Sequence, residues 1–187
     1  GKESIKQEGL MLPIPTHLKN ILQVDEAKFN RDSNGLDGKI QCACRCDSIK
    51  LKIYANQHNN YIAIKHYKND WGFRVCGICS SCGANYDLFD MSKHGYNGFV
   101  CHEGVAVDDV DLESYFCPVC KHDCFQAQIG LELEDIEQFQ EEVVEDLYLE
   151  EKYVIEDFVD AFNWINIDIQ CEKCGTLFKN WVNFETS

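Results

Sequence analysis

The spacing of apolar residues predicts antiparallel β structure in the first half of the chain. Ile49, Leu51 and Ile53 alternate with polar residues, as in a strand with one buried face. Similar stretches cover residues 61–67 and 71–75, and short polar segments separate the stretches from one another. We therefore expect a three-stranded antiparallel sheet within residues 49–75.

The second half combines the same alternation with helical spacing. Residues 125–129 and 165–169 alternate in the manner of strands. Between them, Asp135 can cap a helix that places Ile136, Phe139, Val143 and Leu147 on one face. The pattern predicts a helical insertion near residues 135–162. Its polar positions are strongly acidic.

A shorter helical signal lies in the N-terminal arm, residues 1–38. Thr16 follows two prolines and can cap a short helix whose apolar side is Leu18, Ile21 and Leu22. Turn-forming residues follow this stretch. We expect an arm with one short helix before the first sheet.

Eight of the twelve cysteines form four close pairs: Cys42 and Cys44, Cys79 and Cys82, Cys117 and Cys120, Cys171 and Cys174. Cysteines separated by one or two residues can direct both sulfurs at one point. Two such pairs supply the tetrahedral thiolate shell that zinc prefers. The spacing predicts two zinc ions per chain, in closed sites of the structural type.

An internal repeat indicates which pairs belong together. In each half an apolar residue, Ile49 or Phe125, opens a strand five places after the second cysteine. A later cysteine pair closes each half and is followed by glycine, Gly83 or Gly175. This order of knuckle, strands and knuckle resembles the zinc-ribbon superfamily over residues 40–90 and 115–187. The resemblance implies a fold and a metal rather than a substrate, with one site formed by Cys42, Cys44, Cys79 and Cys82 and the other by Cys117, Cys120, Cys171 and Cys174.

The sequence departs from the ribbon pattern in two respects. Arg45 and Lys121 stand where glycine commonly follows the second cysteine. The first cysteine pair is also one residue shorter than usual, so Cys46 or Cys76 could replace a ligand there. Otherwise these two cysteines, together with Cys101 and Cys124, are expected to be small buried apolar residues.

Two other uses of the cysteines compete with zinc. Paired knuckles also bind iron, as in rubredoxin-type sites. A disulfide framework would need an oxidising compartment. The N-terminal residues lack an apolar core followed by a small-residue cleavage site, and no stretch approaches a membrane span. We therefore expect a cytoplasmic protein with reduced thiols and no membrane partner.

Charge divides the chain unevenly. The formal net charge is -15, and residues 101–187 contribute 4 basic against 22 acidic side chains, whereas residues 41–100 contribute 7 against 4. One-sign fields favour docking of an oppositely charged partner. The acidic insertion, with Glu141, Glu142, Glu145 and Asp146, is therefore a candidate surface for a basic protein partner. A toxin-neutralising or regulatory role would fit this profile.

The first half suggests an alternative function, the binding of single-stranded nucleic acid. Basic and aromatic side chains alternate there and could contact phosphates and stacked bases; the candidates are Lys50, Lys52, Lys65, Lys68, Trp71 and Arg74. The acidic half opposes this function because it would repel phosphate at low salt.

Residues 94–102 contain a thiol and two imidazoles: Cys101, His94 and His102. A nucleophile or an extra metal site is conceivable there, but the spacing identifies no activating acid. The sequence therefore favours a non-enzymatic protein with no small-molecule substrate. Its expected fold is mostly β (α+β): an arm over residues 1–38, a first zinc ribbon with a following hairpin over 39–100, and a second zinc ribbon over 101–187.

Overall fold

The computed structural model describes residues 14–24, 35–145 and 152–187 of the chain. Over these residues the protein is mostly β, which confirms the predicted fold class at this level. The strands are β1 (Leu22–Val24), β2 (Gly35–Ile40), β3 (Ile49–Tyr54), β4 (Asn56–Gln57), β5 (Ile62–Ala63), β6 (Lys65–Tyr67), β7 (Asp70–Gly72), β8 (Arg74–Cys79), β9 (Asn85–Asp90), β10 (Glu113–Ser114), β11 (Cys124–Glu132), β12 (Trp164–Cys171) and β13 (Leu177–Glu185).

Helical segments are short. The α-helix α1 (Ile136–Phe139) continues into a π-helical turn, Gln140–Val144. Another π-helical turn spans Tyr96–Val100, and single 3-10 turns span Thr16–Leu18, Asp109–Asp111 and Ile155–Val159. Among the described residues, no helix has the length and apolar character needed to cross a membrane.

Nine of the described strands form one antiparallel sheet, with β11 at its centre. One edge of β11 pairs with β12 along its length. The other edge pairs first with β3, at Cys124 and Phe125, and then with β2, from Gln128 to Glu132. The sheet therefore joins strands from both halves of the chain, a pairing that was not predicted from the sequence.

Equivalent positions of the two halves pair in equivalent ways across the sheet. Lys52 and Gln128 each lie three residues after Ile49 and Phe125, and Lys39 and Ser114 each lie three before the first cysteine of their knuckle. Ser114 pairs with Lys52, and Lys39 pairs with Gln128. Replacing each residue by its equivalent in the other half thus converts the first of these pairs into the second. The sequence repeat is accompanied by a pseudo-twofold relation within the sheet.

The main core lies on one face of this sheet. Alternate residues of β3 and β11 are buried in it, including Ile49, Leu51, Phe125 and Ile129. A smaller apolar cluster joins the Tyr96–Val100 turn to the helical segment, and its buried members are Val100, Phe139, Val143, Tyr153 and Ala161.

The predicted three-stranded sheet within residues 49–75 is wrong in one element. β3 and β8 are neighbours, as expected, but residues 61–67 form two small hairpins with β4 and β7. The second edge of β8 is occupied by β9. The stretch 61–67 therefore has no free edge of β8 on which to pair.

The helical segment follows the predicted apolar spacing where it is described. The Asp135 carboxylate accepts a hydrogen bond from the N–H of Gln138, while Phe139 and Val143 are fully buried. Leu147 and Asp146 lie outside the described residues. A continuous acidic helical insertion over residues 135–162, like the proposed domain boundaries, stays a prediction.

In the described part of the N-terminal arm, Thr16–Leu18 form a 3-10 turn, and Leu18, Ile21 and Leu22 are buried. The capping role expected for Thr16 is wrong. Its backbone N–H and its hydroxyl both donate to the carboxylate of Asp160, at 2.7 and 2.9 Å. Tertiary contact with the second half therefore takes the place of a local cap.

Candidate metal centres

The first cysteine tetrad links two loops that are far apart in sequence. Cys42 and Cys44 lie between β2 and β3, Cys79 ends β8, and Cys82 lies in the following turn. The Sγ atoms of Cys42 and Cys82 are 3.6 Å apart, and those of Cys44 and Cys79 are 3.5 Å apart. The four sulfurs lie within 4.8 Å of one another.

The second tetrad has the same construction. Cys117 and Cys120 lie between β10 and β11, Cys171 ends β12, and Cys174 lies in the turn before β13. The Sγ distances are 3.7 Å from Cys117 to Cys174 and 3.5 Å from Cys120 to Cys171. Again the four sulfurs lie within 4.8 Å of one another.

These distances fit a shared metal ion. A disulfide would bring two sulfurs to about 2 Å, and all twelve cysteines are free thiols. Zinc–sulfur bonds of about 2.3 Å in a tetrahedron place the sulfurs about 3.8 Å apart. Each tetrad could therefore hold one metal ion, and zinc suits its four-thiolate donor set.

All four knuckles turn through the left-handed region at the residue after the second cysteine. The φ angles are 72° at Arg45, 74° at Gly83, 65° at Lys121 and 72° at Gly175. Glycine adopts this conformation without strain, whereas an L side chain crowds its own backbone. Arg45 and Lys121 therefore have the same backbone geometry as the two glycines, at a local energetic cost.

Backbone hydrogen bonds repeat from knuckle to knuckle. The N–H of this left-handed residue donates to the carbonyl of the first cysteine, at 2.8 to 3.0 Å. The N–H of the first cysteine donates in turn to a carbonyl beyond the turn, as from Cys42 to Cys46 and from Cys117 to His122. These backbone hydrogen bonds thus shape each knuckle independently of a bound metal.

Nearby hydrogen-bond donors favour the thiolate form at selected cysteines. The N–H of Cys82 lies 3.5 Å from the Cys79 sulfur and lowers the pKa of that thiol to about 6. The Thr176 hydroxyl lies 3.2 Å from the Cys174 sulfur and likewise lowers its pKa to about 6. Burial raises the pKa of Cys171 to about 12. Each tetrad therefore contains an acidic thiol, which is useful because metals bind thiolates.

The remaining cysteines lie outside both tetrads. Cys76 is buried and donates to the Asp87 carboxylate at 2.9 Å. The Cys46 sulfur lies near the Ser48 carbonyl and the Ser80 hydroxyl, at 3.6 and 3.7 Å. Cys101 is exposed, and Cys46 and Cys124 are half-buried, so the burial expected for the four spare cysteines is confirmed at Cys76 and wrong at the other three.

The thiol and imidazoles of residues 94–102 have separate surroundings. His94 stacks on His17 with ring centroids 3.6 Å apart, and its Nδ1 accepts from the N–H of Asp90. His102 instead contacts the Lys152 ammonium and the Tyr153 hydroxyl. The structure therefore gives the two histidines different partners.

The basic candidates of the first half are largely paired with carboxylates. Arg74 is 13% exposed, and its guanidinium bonds to Asp87 at 2.9 Å and Asp109 at 2.6 Å. Lys50 lies 3.4 Å from Asp123, and Lys68 lies 4.0 Å from Asp108.

The other members of this set are more open. Lys52 is exposed on β3, the Lys65 ammonium lies 4.9 Å from the Tyr54 ring centroid, and Trp71 is 44% exposed while stacked on His66. Arg74, Lys50 and Lys68 therefore have carboxylate partners that partly neutralise their charge.

The acidic candidates are exposed where they are described. Glu141, Glu142 and Glu145 lie on the solvent side of the segment whose buried residues are Phe139 and Val143. Glu142 accepts from Gln138 at 2.8 Å, and Glu145 accepts from Gln140 at 3.1 Å. Among the described residues, these three carboxylates form no ion pair with lysine or arginine.

One further group, which was not predicted from the sequence, is formed by His122, Cys124 and Glu172. One ligand atom from each lies within 4.8 Å of the others. The signal was a His-x-Cys spacing directly after the Cys117–Cys120 knuckle. Glu172 could not be added from spacing because it comes from the other knuckle of the second tetrad.

Comparison with family models, curated proteins and solved structures gives no match for this chain. The functional interpretation therefore rests on the geometry of the cysteine clusters and on the charge of the surface.

Proposed function

We propose that this chain is a non-catalytic zinc protein, with one structural zinc ion in each cysteine tetrad. The observation that carries the proposal is the arrangement of sulfurs. In both tetrads the Sγ pairs lie 3.5 to 3.7 Å apart, close to the edge of a zinc–thiolate tetrahedron. Four protein thiolates leave no open coordination position, as in structural zinc sites.

Each ion would connect a knuckle loop to the end of a strand that already pairs with the strand following that loop. In the first tetrad the loop between β2 and β3 meets the end of β8, and in the second the loop before β11 meets the end of β12. Metal binding to such sites contributes directly to folding because the unfolded chain has no preformed site. The zinc ions would therefore stabilise the junction of strands at each knuckle pair.

The same geometry supports an architecture of two tandem zinc ribbons. Each half contributes a knuckle, strands and a second knuckle, and all four knuckles share the left-handed turn. The pairs Ser114–Lys52 and Lys39–Gln128 occupy equivalent positions in the two halves, which supports descent of both halves from one repeated unit.

The biological role we propose is docking of a basic protein partner on the acidic surface formed by Glu141, Glu142 and Glu145. Burial of Phe139 and Val143 keeps these carboxylates directed to solvent. The net charge of -15 supports attraction of a basic protein over a distance. The surface suits a regulatory or neutralising interaction rather than catalysis.

Metal analysis tests the structural part of this proposal. Purified protein should contain two zinc ions per chain, one for each tetrad, and should unfold when a strong chelator removes them. A visible iron chromophore, or a folded chain without metal, would contradict it. Charge reversal on the acidic surface tests the partner-binding part separately.

A further inference from the structure

Beside the second tetrad, three side chains with different donor atoms converge. They are the imidazole of His122, the thiol of Cys124 and the carboxylate of Glu172, with ligand atoms within 4.8 Å of one another. We propose that they bind a third divalent transition-metal ion, exchangeable with solvent and with an open coordination position. This site goes beyond the two structural ions proposed above.

Backbone contacts hold the three ligand residues in place. The His122 carbonyl accepts from the N–H of Cys117 at 2.8 Å, within the knuckle turn. Cys124 is the first residue of β11, and its carbonyl accepts from the N–H of Glu172 at 3.1 Å. Because the ligands sit on hydrogen-bonded backbone, little chain ordering is needed when a metal binds.

Neighbouring side chains complete the surroundings. The Ser48 hydroxyl donates to Glu172 Oε2 at 2.9 Å, which orients the carboxylate as outer hydrogen bonds do at metal sites. The Cys124 sulfur lies 3.7 Å from one oxygen of Asp123, whose other oxygen pairs with Lys50 at 3.4 Å, so the charge of this carboxylate is partly balanced. Ser48 belongs to the first half, so a metal here would lie at the junction of the two halves.

The donor set selects the class of metal. Magnesium and calcium prefer oxygen ligands, whereas a mixture of imidazole nitrogen, thiolate and carboxylate suits zinc, cobalt or nickel. Three protein ligands leave a fourth position for water or an added ligand, unlike a closed structural site. Glu172 is exposed, and His122 and Cys124 are half-buried. Solvent access therefore permits exchange of the ion.

The first half of the chain provides an internal comparison. Residues 44–49 align with residues 120–125, which places Cys46 opposite His122 and Ser48 opposite Cys124. The N–H of Ser80 donates to the Ser48 carbonyl at 3.0 Å, as that of Glu172 does to Cys124. These backbone hydrogen bonds occur in both halves, but the side chains differ. Cys46 and Ser80 stand in the first half where His122 and Glu172 stand in the second. The metal-binding donors are therefore specific to the second half.

Cobalt binding to the zinc-loaded chain tests the site. Protein holding both structural zinc ions should bind one further Co²⁺ and show a thiolate-to-cobalt charge-transfer band. Cobalt binds such ligands more weakly than zinc, so the tetrads should keep their zinc during the titration. Zinc content after the titration, measured together with cobalt, verifies this.

Variants assign the band to the proposed ligands. Cys124→Ser should abolish the band, and Glu172→Gln should weaken cobalt binding by about tenfold or more. Glu172 is exposed, so Glu172→Gln should fold even if Cys124→Ser does not. Cys46→Ser is the matched control, because Cys46 occupies the frame of the first half, and it should bind cobalt as the wild type does.

Three results would overturn the proposal. The first is that zinc-loaded wild-type protein takes up no further cobalt. The second is that Glu172→Gln and Cys124→Ser bind cobalt as tightly as the wild type. The third is that Cys46→Ser loses the band while Cys124→Ser keeps it.

Discussion

Ile49 and Phe125 pair directly across β3 and β11, and both side chains are fully buried. Each residue lies five places after the second cysteine of a knuckle; Ile49 is the first residue of β3, and Phe125 is the second of β11. The pair therefore lies at the contact between the two halves of the chain, and each residue is a few positions away from a tetrad. Loss of either metal should therefore destabilise the sheet that both halves share.

The first prediction concerns the tetrads. Cys174→Ser should leave an incomplete thiolate shell, reduce the metal content from two ions to one and destabilise the fold. Cys101→Ser is the control, because Cys101 is exposed and outside both tetrads. Zinc analysis and thermal unfolding of both variants provide the measurement. Equal zinc content in Cys174→Ser and wild type would contradict the assignment.

The second prediction concerns the left-handed knuckle residues. Lys121→Gly should stabilise the zinc-loaded protein by about 0.5–1 kcal/mol, because glycine adopts φ 65° without strain. Gly175→Ala should destabilise it by about 1 kcal/mol, although a Cβ there would meet no atom within 4 Å. Urea unfolding with matched zinc content measures both. Stabilisation by Gly175→Ala would refute the backbone explanation.

The third prediction follows from the stacked histidines. Burial lowers the pKa of His17 to about 3 and that of His94 to about 4, against 6.5 for exposed histidine. Below pH 6.5 the unfolded chain therefore takes up protons that the folded chain does not, and stability falls with decreasing pH. Between pH 7 and pH 5 the loss should be roughly 2 kcal/mol or more.

The matched variant for this measurement is His17→Gln with His94→Asn. Gln can retain a donor to the Leu88 carbonyl, and Asn can retain an acceptor for the N–H of Asp90. The difference in unfolding free energy between variant and wild type should then favour the variant increasingly as the pH falls. Acid release of zinc affects both proteins alike, so a difference independent of pH would contradict the buried neutral pair.

The fourth prediction compares a largely buried arginine, Arg74, with a surface lysine, Lys52. Burial alone would raise the pKa of Asp87, but hydrogen bonds from Cys76 and Arg74 outweigh it and leave that pKa below its usual value. Arg74→Met removes this cation from a partly buried carboxylate and should destabilise the fold by about 2–4 kcal/mol. Lys52→Met, on an exposed position of β3, should change stability by less than about 0.5 kcal/mol. Similar unfolding curves for the two variants would show that the Arg74 network contributes little.

The fifth prediction tests the partner surface. Reversing Glu141, Glu142 and Glu145 to lysine should weaken capture of a basic partner and reduce the salt dependence of binding, because those charges carry the long-range attraction. The control makes the same change in net charge at other exposed glutamates, Glu103, Glu113 and Glu185. Zinc content should be unchanged in both. Equal loss of binding in both triple variants would indicate net charge rather than a defined surface.

The same preparations decide the alternative nucleic-acid function. Full-length protein should not bind single-stranded oligonucleotides in moderate salt, because Arg74, Lys50 and Lys68 have carboxylate partners. Binding that is lost with Lys65→Met or Trp71→Ala would instead establish the basic aromatic face as the working surface.

Cysteine spacing and the internal repeat predicted the eight cysteines that the structure brings together, with Cys46 and Cys76 left as alternatives in the first site. Knuckle spacing is a local property, since residues within one turn of chain meet whatever the rest of the fold does. The limits of β3 were equally local, because strict alternation over Ile49–Tyr54 defines one buried face. In the same way, Asp135 caps its helix with a hydrogen bond that spans three residues.

Contacts between distant segments were decided only by the tertiary structure. Pairing of Ile49 with Phe125 joins the halves in one sheet, and β9 excludes residues 61–67 from β8. Glu172 meets His122 and Cys124 only after the second tetrad has brought two knuckles together. Alternation specifies which residues of a strand are buried but not which edge the strand pairs with. That choice depends on competition among strands in the folded chain.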